Sequence, residues 1–331
     1  MMRRLRLLAL GSGGAIFIVA ILAVSGLFDV ASSSRRSTVA DWFWGVIVRQ
    51  SVTLRSVAIE EPPLTDASLI RLGAGHYDRV CAACHGSPTT VPQAFAADLV
   101  PQPPRLMEQM EDWRPPARIF WTVKNGIRHS AMPAWPTQLR DDEVWAMVAF
   151  LLEMPKMTAT RYAQLAGIAF PGCDSCHAAG EQGASSLIPR LDIQTPEYIT
   201  AALRGYRERS RPSGIMIAAA SNLSDQEIAK LAAALGRTTV PGSTDGGKGE
   251  TIAVVGIPDR QVPPCESCHG PDARADYPRL AGQNRAYLLN QLKLFATLGE
   301  RRGGPYAEIM ATAVRNLSEA EMMSVAEWYG R

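Results

Sequence analysis

What this chain has little of narrows its function before any motif is read. Its 331 residues carry 34 Lys and Arg against 32 Asp and Glu, a formal charge of +2, and no long basic run follows the first few residues. A chain so nearly neutral has no general attraction for phosphate polymers, so nucleic acid is not an expected partner. No paired carboxylates, no nucleophile beside a base and no glycine-rich phosphate loop stand out, which leaves catalysis without its usual carriers. Histidine is scarce, at five, and no cysteine stands alone: all six fall in Cys-x-x-Cys pairs. What is present is a 47% apolar share typical of a globular chain, with room for about two or three domains.

The pairs read CAACHG from Cys81, CDSCH from Cys173 and CESCHG from Cys265, and three of the five histidines, His85, His177 and His269, stand directly behind them. Cys-x-x-Cys followed by His is the pattern of covalent c-type haem attachment. Two thiols join the porphyrin edge as thioethers, and the adjacent imidazole reaches the iron. One helical turn carries both anchors and the histidine. Zinc would need four ligands in one closed tetrahedron, which three separated pairs do not make. A thioredoxin-like pair would need a strand-helix-strand context and has no use for the histidine. The expectation is three covalently attached haem c groups, on Cys81 and Cys84, Cys173 and Cys176, and Cys265 and Cys268.

Internal repetition sets the architecture. Behind each pair comes Pro-Arg-Leu-x-x-Gln-x-x-x-aromatic: Pro104, Arg105, Leu106, Gln109 and Trp113; Pro189, Arg190, Leu191, Gln194 and Tyr198; Pro278, Arg279, Leu280, Gln283 and Tyr287. Further on, a methionine stands seven positions before a leucine that opens an acidic helix start: Met132 to Leu139, Met216 to Leu223, Met310 to Leu317. LSDQE and LSEAE place capping boxes at Ser224 and Ser318, whereas LRDDE keeps only the acids. An apolar helix then closes each copy. The fold class expected is all-α: an N-terminal transmembrane helix followed by three tandem cytochrome domains. The boundaries are 1–35 for a membrane anchor or signal, 36–66 for an interfacial helix and linker, 67–155, 156–240 and 247–331 for the domains, and 241–246 for a linker.

The anchor is read from Arg3, Arg4 and Arg6 ahead of an uncharged stretch over 7–28. As a helix that stretch spans roughly 33 Å against a hydrocarbon thickness of roughly 30 Å. Cationic flanks hold the amino terminus in the cytoplasm and send the rest outward. A cleaved secretory signal is the competing reading, and it exports the body of the protein as well. Within 41–59, Phe43, Val46, Ile47, Leu54, Val57 and Ala58 share one helix side. Trp42 and Trp44 suit a bilayer interface, and packing against the first soluble domain is the alternative.

On these motifs the three repeats resemble class I c-type cytochromes. The last two, with IPDRQVPPCESCHGPD, YPRLAGQNRAYLLNQLKLF and MATAVRNLSEAEM in the third, are similar to two-haem periplasmic cytochromes. The first, with GAGHYDRVCAACHG and FWTVKNGIRHSAMPAWP, is similar to single-haem modules of membrane respiratory proteins. The resemblance implies His85, His177 and His269 as proximal ligands, with Met132, Met216 and Met310 on the opposite faces. It implies that Pro104, Pro189 and Pro278 offer their carbonyls to those imidazoles. Arg105, Arg190 and Arg279 are candidates to neutralise haem propionates. His129 is a rival to Met132, and His76 is read as a surface residue of the entry helix.

Iron held by protein on both faces leaves no place for a substrate. The expected function is therefore a periplasmic electron carrier, single-pass in the bacterial inner membrane, with no catalytic residues of its own. Its redox partners would be a terminal haem-copper oxidase, a quinol-oxidising complex or a membrane dehydrogenase. One alternative is the cytochrome subunit of a dehydrogenase for alcohols or sugar acids. Another is a haem peroxidase, which requires one methionine to be unbound.

Overall fold

The structure, a computed structural model, describes residues 38–169, 172–177, 185–236 and 248–330, together with positions 17, 21 and 24–26. The expected anchor over 7–28 and the linker over 241–246 therefore lie outside the described residues, save for those isolated positions. Among the described residues no helix is long and apolar enough to cross a membrane. The described chain is mostly helical, with two isolated bridges, Ile257 to Val262 and Gln283 to Gly330, in place of strands.

In chain order the α-helices are α1 (Thr38–Ser56), α2 (Ala67–Val80), α3 (Ala82–His85), α4 (Leu106–Gln109), α5 (Pro116–Asn125), α6 (Asp141–Glu153), α7 (Ala159–Ala166) and α8 (Asp174–His177). They continue as α9 (Pro196–Arg207), α10 (Gly214–Ala220), α11 (Asp225–Leu235), α12 (Lys248–Val254), α13 (Glu266–His269), α14 (Arg285–Leu298), α15 (Ala307–Val314) and α16 (Glu319–Tyr329). Their starts follow local chemistry. Pro116 and Pro196 occupy first positions, where the missing N–H costs nothing. Ser224 and Ser318 form the expected reciprocal capping boxes with Glu227 and Glu321, while Arg140 before α6 offers no side-chain cap.

Two cores are built alike. In the first, entry helix α2 crosses closing helix α6 so closely that a Cβ on Gly73 would lie 2.3 Å from the Ala146 carbonyl oxygen. In the last, α12 crosses α16, and a Cβ on Gly249 would lie 2.1 Å from the Ser324 carbonyl oxygen. Both positions need glycine because backbone meets backbone. Around the first crossing pack Tyr77, Met147, Phe150 and Met154; around the last, Val262, Leu288, Val325 and Tyr329.

The middle segment differs. Helix α7, numbered past the expected boundary at 156, packs on α2, and its Tyr162, Leu165 and Ala166 join the first core. Tyr162 also donates from its hydroxyl to Asp78 at 2.8 Å. The remaining middle helices pair as α9 with α11 over smaller buried residues, Ile193, Ile199, Ile228 and Ala232.

Helix α1 packs against the first segment, the second of the two expectations raised for it, and leaves its other face exposed. Inward, it packs on α5, burying Val52 and Ser56, and Trp44 sets its ring edge-on to His129 at 5.8 Å between centroids. Outward, Val39, Phe43, Ile47, Leu54 and Val57 form an exposed apolar stripe, with Trp42 beside it. The two tryptophans thus part company. The linker that follows is tied down at both ends. Glu61 accepts from the Ala117 N–H at 3.0 Å, and Asp66 caps α2 by accepting from the Ser68 N–H at 2.7 Å.

Candidate functional site

Each Cys-x-x-Cys-His stretch forms one helical turn with the same backbone. The histidine N–H donates to the carbonyl of the first cysteine, His85 to Cys81 at 3.0 Å, His177 to Cys173 at 2.9 Å and His269 to Cys265 at 2.9 Å. All six thiols are free and half-buried. The histidines repeat one further contact. Nδ1 meets the Pro104 carbonyl at 2.9 Å from His85, the Pro189 carbonyl at 2.8 Å from His177, and the Pro278 carbonyl at 2.8 Å from His269. A carbonyl only accepts, so Nδ1 carries the proton and each Nε2 keeps its lone pair. Burial lowers the pKa of all three imidazoles, opposed by those same proline bonds, which favours the neutral form a metal needs.

On the far side of His269, the Met310 sulfur lies 3.5 Å from Nε2. A single cavity of 1460 Å³ takes in Cys173, Cys176, His177 and Met216 together with Cys265, Cys268, His269 and Met310. Met216 sits in the first turn of α10, where Ser213 accepts from its N–H at 3.2 Å. Cys81, Cys84, His85 and Met132 lie outside that cavity's lining. Met132 is half-buried in the loop after α5, its carbonyl accepting from Ile127 at 3.1 Å and its N–H donating to the Ser130 hydroxyl at 3.1 Å. This loop folds back over Gly126, at φ 65°, where a Cβ would lie 2.7 Å from the Met132 oxygen. His129, at φ 56°, is exposed and held against Trp44.

The residues present fit haem c. Free thiol pairs and imidazoles with Nε2 available are what the group requires at each site, and at the second and third sites a large cavity lined mostly by apolar side chains adjoins them. The cavity also holds two buried cationic donors with no hydrogen-bond partner, Nε of Arg279 and Nη1 of Arg302. Such atoms suit an anionic group such as a propionate. Of the three arginines singled out by the repeat, Arg105 is exposed and pairs with Glu108 at 3.1 Å. Arg190 forks onto Asp192 and donates to the Gly282 carbonyl at 3.1 Å. Only Arg279 keeps an orphaned donor. Arg302, 2% exposed, lies outside the repeated signature, so no periodicity pointed to it.

One reading is corrected. His76 is not a surface residue: it is 6% exposed, lines the cavity, and sets its ring edge-on to Trp135 at 4.9 Å between centroids. Gly75 on the same helix lets the middle segment come close: a Cβ there would lie 3.1 Å from the Cys176 sulfur. Burial, with Arg79 nearby, lowers the His76 pKa from 6.5 to about 4.

The repeated glutamine also has a use that sequence reading missed. Gln194 accepts from the Arg279 N–H at 2.9 Å and donates to the Arg279 carbonyl at 2.8 Å. Gln283 does the same for Arg190, at 2.8 and 3.0 Å. The middle and last segments are thereby joined by a reciprocal exchange of amides.

Comparison with known proteins finds matches over parts of the chain. The family model described as cytochrome c oxidase, cbb3-type, subunit III matches residues 68–151. The chain is 33% identical over 168 residues to the thiosulfate dehydrogenase electron acceptor of Stutzerimonas stutzeri, a match covering 47% of this chain and 77% of that protein. It is 34% identical over 167 residues to cytochrome c4 of Thiocapsa roseopersicina, covering 47% of this chain and 84% of that one. The solved cytochrome c4 of Acidithiobacillus ferrooxidans aligns at 28% identity with a TM-score of 0.42, over 47% of this chain and 96% of that chain.

Proposed function

This chain belongs to the cytochrome c family of electron-transfer proteins, and on that premise we propose a membrane-anchored carrier with three covalently attached haem c groups, facing the periplasm from the bacterial inner membrane. The observation that carries this reading is the threefold return of one arrangement: a Cys-x-x-Cys-His turn whose imidazole donates from Nδ1 to a proline carbonyl, so that Nε2 keeps its lone pair. The residues that would hold the three groups are His85 with Met132, His177 with Met216 and His269 with Met310, each pair in its own proposed cytochrome domain. Haem held by these residues would supply one-electron redox chemistry, and protein ligands on both faces would leave no open place for substrate. The chain's part is to tether, orient and shield. Six cysteines would fix the macrocycles, and three proline carbonyls hold the imidazoles in one tautomer.

Membrane attachment is supported by the outward apolar stripe of α1, which follows the uncharged stretch 7–28 in sequence. For the electron acceptor we favour a haem-copper oxidase, because the first segment matches a family described as an oxidase subunit. A dehydrogenase as donor is the second reading, favoured by the relatives named as thiosulfate dehydrogenase electron acceptors. The peroxidase reading fits poorly at the third site, where the Met310 sulfur faces His269 Nε2.

The test is mass spectrometry of the mature protein from membranes, combined with the oxidised-state absorption band of methionine-ligated iron. Three haem adducts and a band at three equivalents are expected. Fewer adducts overturn the reading, and the proteins that co-purify decide between oxidase and dehydrogenase partners.

A further inference from the structure

Between the first and middle segments lies a buried carboxylate that the electron-carrier reading does not use. Glu143, in the first turn of α6 and 2% exposed, reaches out of its own segment. One oxygen accepts from the Ser213 hydroxyl at 2.5 Å and pairs with Arg140 at 3.0 Å. The other accepts from the Gly214 N–H at 2.6 Å, the Ile215 N–H at 3.4 Å and the Trp135 indole N–H at 3.3 Å. Burial raises the pKa of this carboxyl, and Arg140 pulls against it.

The partners identify the purpose. Ser213, Gly214 and Ile215 are the three residues before Met216, and the Ser213 oxygen that donates to Glu143 also accepts from the Met216 N–H at 3.2 Å. Trp135 stands three residues after Met132 in the other methionine loop, held there by its N–H on the Lys124 carbonyl at 3.0 Å. The two loops also touch directly. The Trp135 indole lies on Gly214, where a Cβ would fall 2.0 Å from its Nε1, so only glycine fits. Arg140 adds a bond to the Pro212 carbonyl at 3.2 Å, on the same loop as Met216.

The geometry points to Glu143 as a positioning residue shared by two methionine loops, which makes ligation by Met132 and by Met216 interdependent. A buried carboxylate with five donors has little freedom to move, because any departure strands several buried polar groups at once. A loop released from one side therefore loses its register on the other. The third site, whose Met310 lies on α15, takes no bond from Glu143 and stands outside this coupling.

This inference rests on Met132 and Met216 being axial ligands, and the wild type tests that separately, since it must show the methionine-to-iron band at three equivalents. In purified, fully haem-loaded Glu143→Leu, the band falls to about one third of its wild-type amplitude. The potentials of two haems drop, because thioether ligation raises them. The third haem keeps its band and potential. Glu143→Gln, which retains the shape and one acceptor oxygen, restores part of the band. Trp135→Phe, which removes only the indole donor of the first loop, shifts the potential of the second haem as well. An unchanged band and unchanged potentials in Glu143→Leu overturn the inference. So does a change confined to one haem in both Glu143→Leu and Trp135→Phe. If Glu143→Leu fails to fold, the Trp135→Phe potentials decide alone.

Discussion

The middle and last segments share a haem motif, a proline-histidine bond and a reciprocal glutamine exchange, yet among the described residues only the last closes on a core of its own. Its entry helix crosses its closing helix at Gly249, and Trp328 and Tyr329 fill the space beside the crossing. In the middle segment the helix numbered to play that part, α7, has gone to the first core, and the closing helix α11 carries Ala234 where the other two carry Phe150 and Trp328. Polar ties replace the missing apolar contact. Ser185 donates to the Ser68 carbonyl at 2.8 Å on one side, and Asn284 donates to the Ile188 carbonyl at 2.6 Å on the other. A segment held by its neighbours owes its order to them, and its proposed haem site is the one expected to lose the proposed methionine ligation first on mild denaturation.

The comparison breaks most visibly through α7. Tyr162→Ala leaves a cavity worth about 3–5 kcal/mol, and the damage should appear in the first core although the residue is numbered past it. Urea unfolding followed at each haem checks this, and selective loss of the second site would show that α7 serves the middle segment after all. His76 gives a pH-dependent effect of similar size. Its folded pKa of about 4 lies below the ordinary 6.5, so on acidification the unfolded chain takes up the proton first. Stability is complete above pH 6.5 and declines as the pH falls towards 4, by about 3 kcal/mol in all. Denaturant midpoints at pH 7 and pH 5 should diverge in the wild type and converge in His76→Phe.

Smaller effects sharpen the contrast between the glutamines. Gln283→Leu strands the amide of Arg190 inside the contact between segments and should cost about 1–3 kcal/mol, with faster hydrogen exchange at the Arg190 N–H. Gln109, at the same place in the first repeat, has no partner segment and turns back on its own Arg105 N–H at 3.0 Å, in the open. Gln109→Leu should therefore cost less than about 1 kcal/mol and leave exchange at the other two repeats unchanged.

The parts of this molecule that were legible in the chain are those decided within a turn or two of helix. The Cys-x-x-Cys-His turns, the capping boxes at Ser224 and Ser318 and the common register of the three methionines depend on near neighbours, and spacing alone states them. The prolines behind His85, His177 and His269 were reached through family resemblance, because a carbonyl bond across 9 to 19 residues has no periodic signature. Tertiary structure alone decided that His76 is buried, that α7 joins the first core, that Gln194 and Gln283 serve each other's segments and that Glu143 binds two methionine loops. In each case the residue's environment is supplied by a distant stretch of chain. A side chain's own type does not reveal which surface will arrive to cover it.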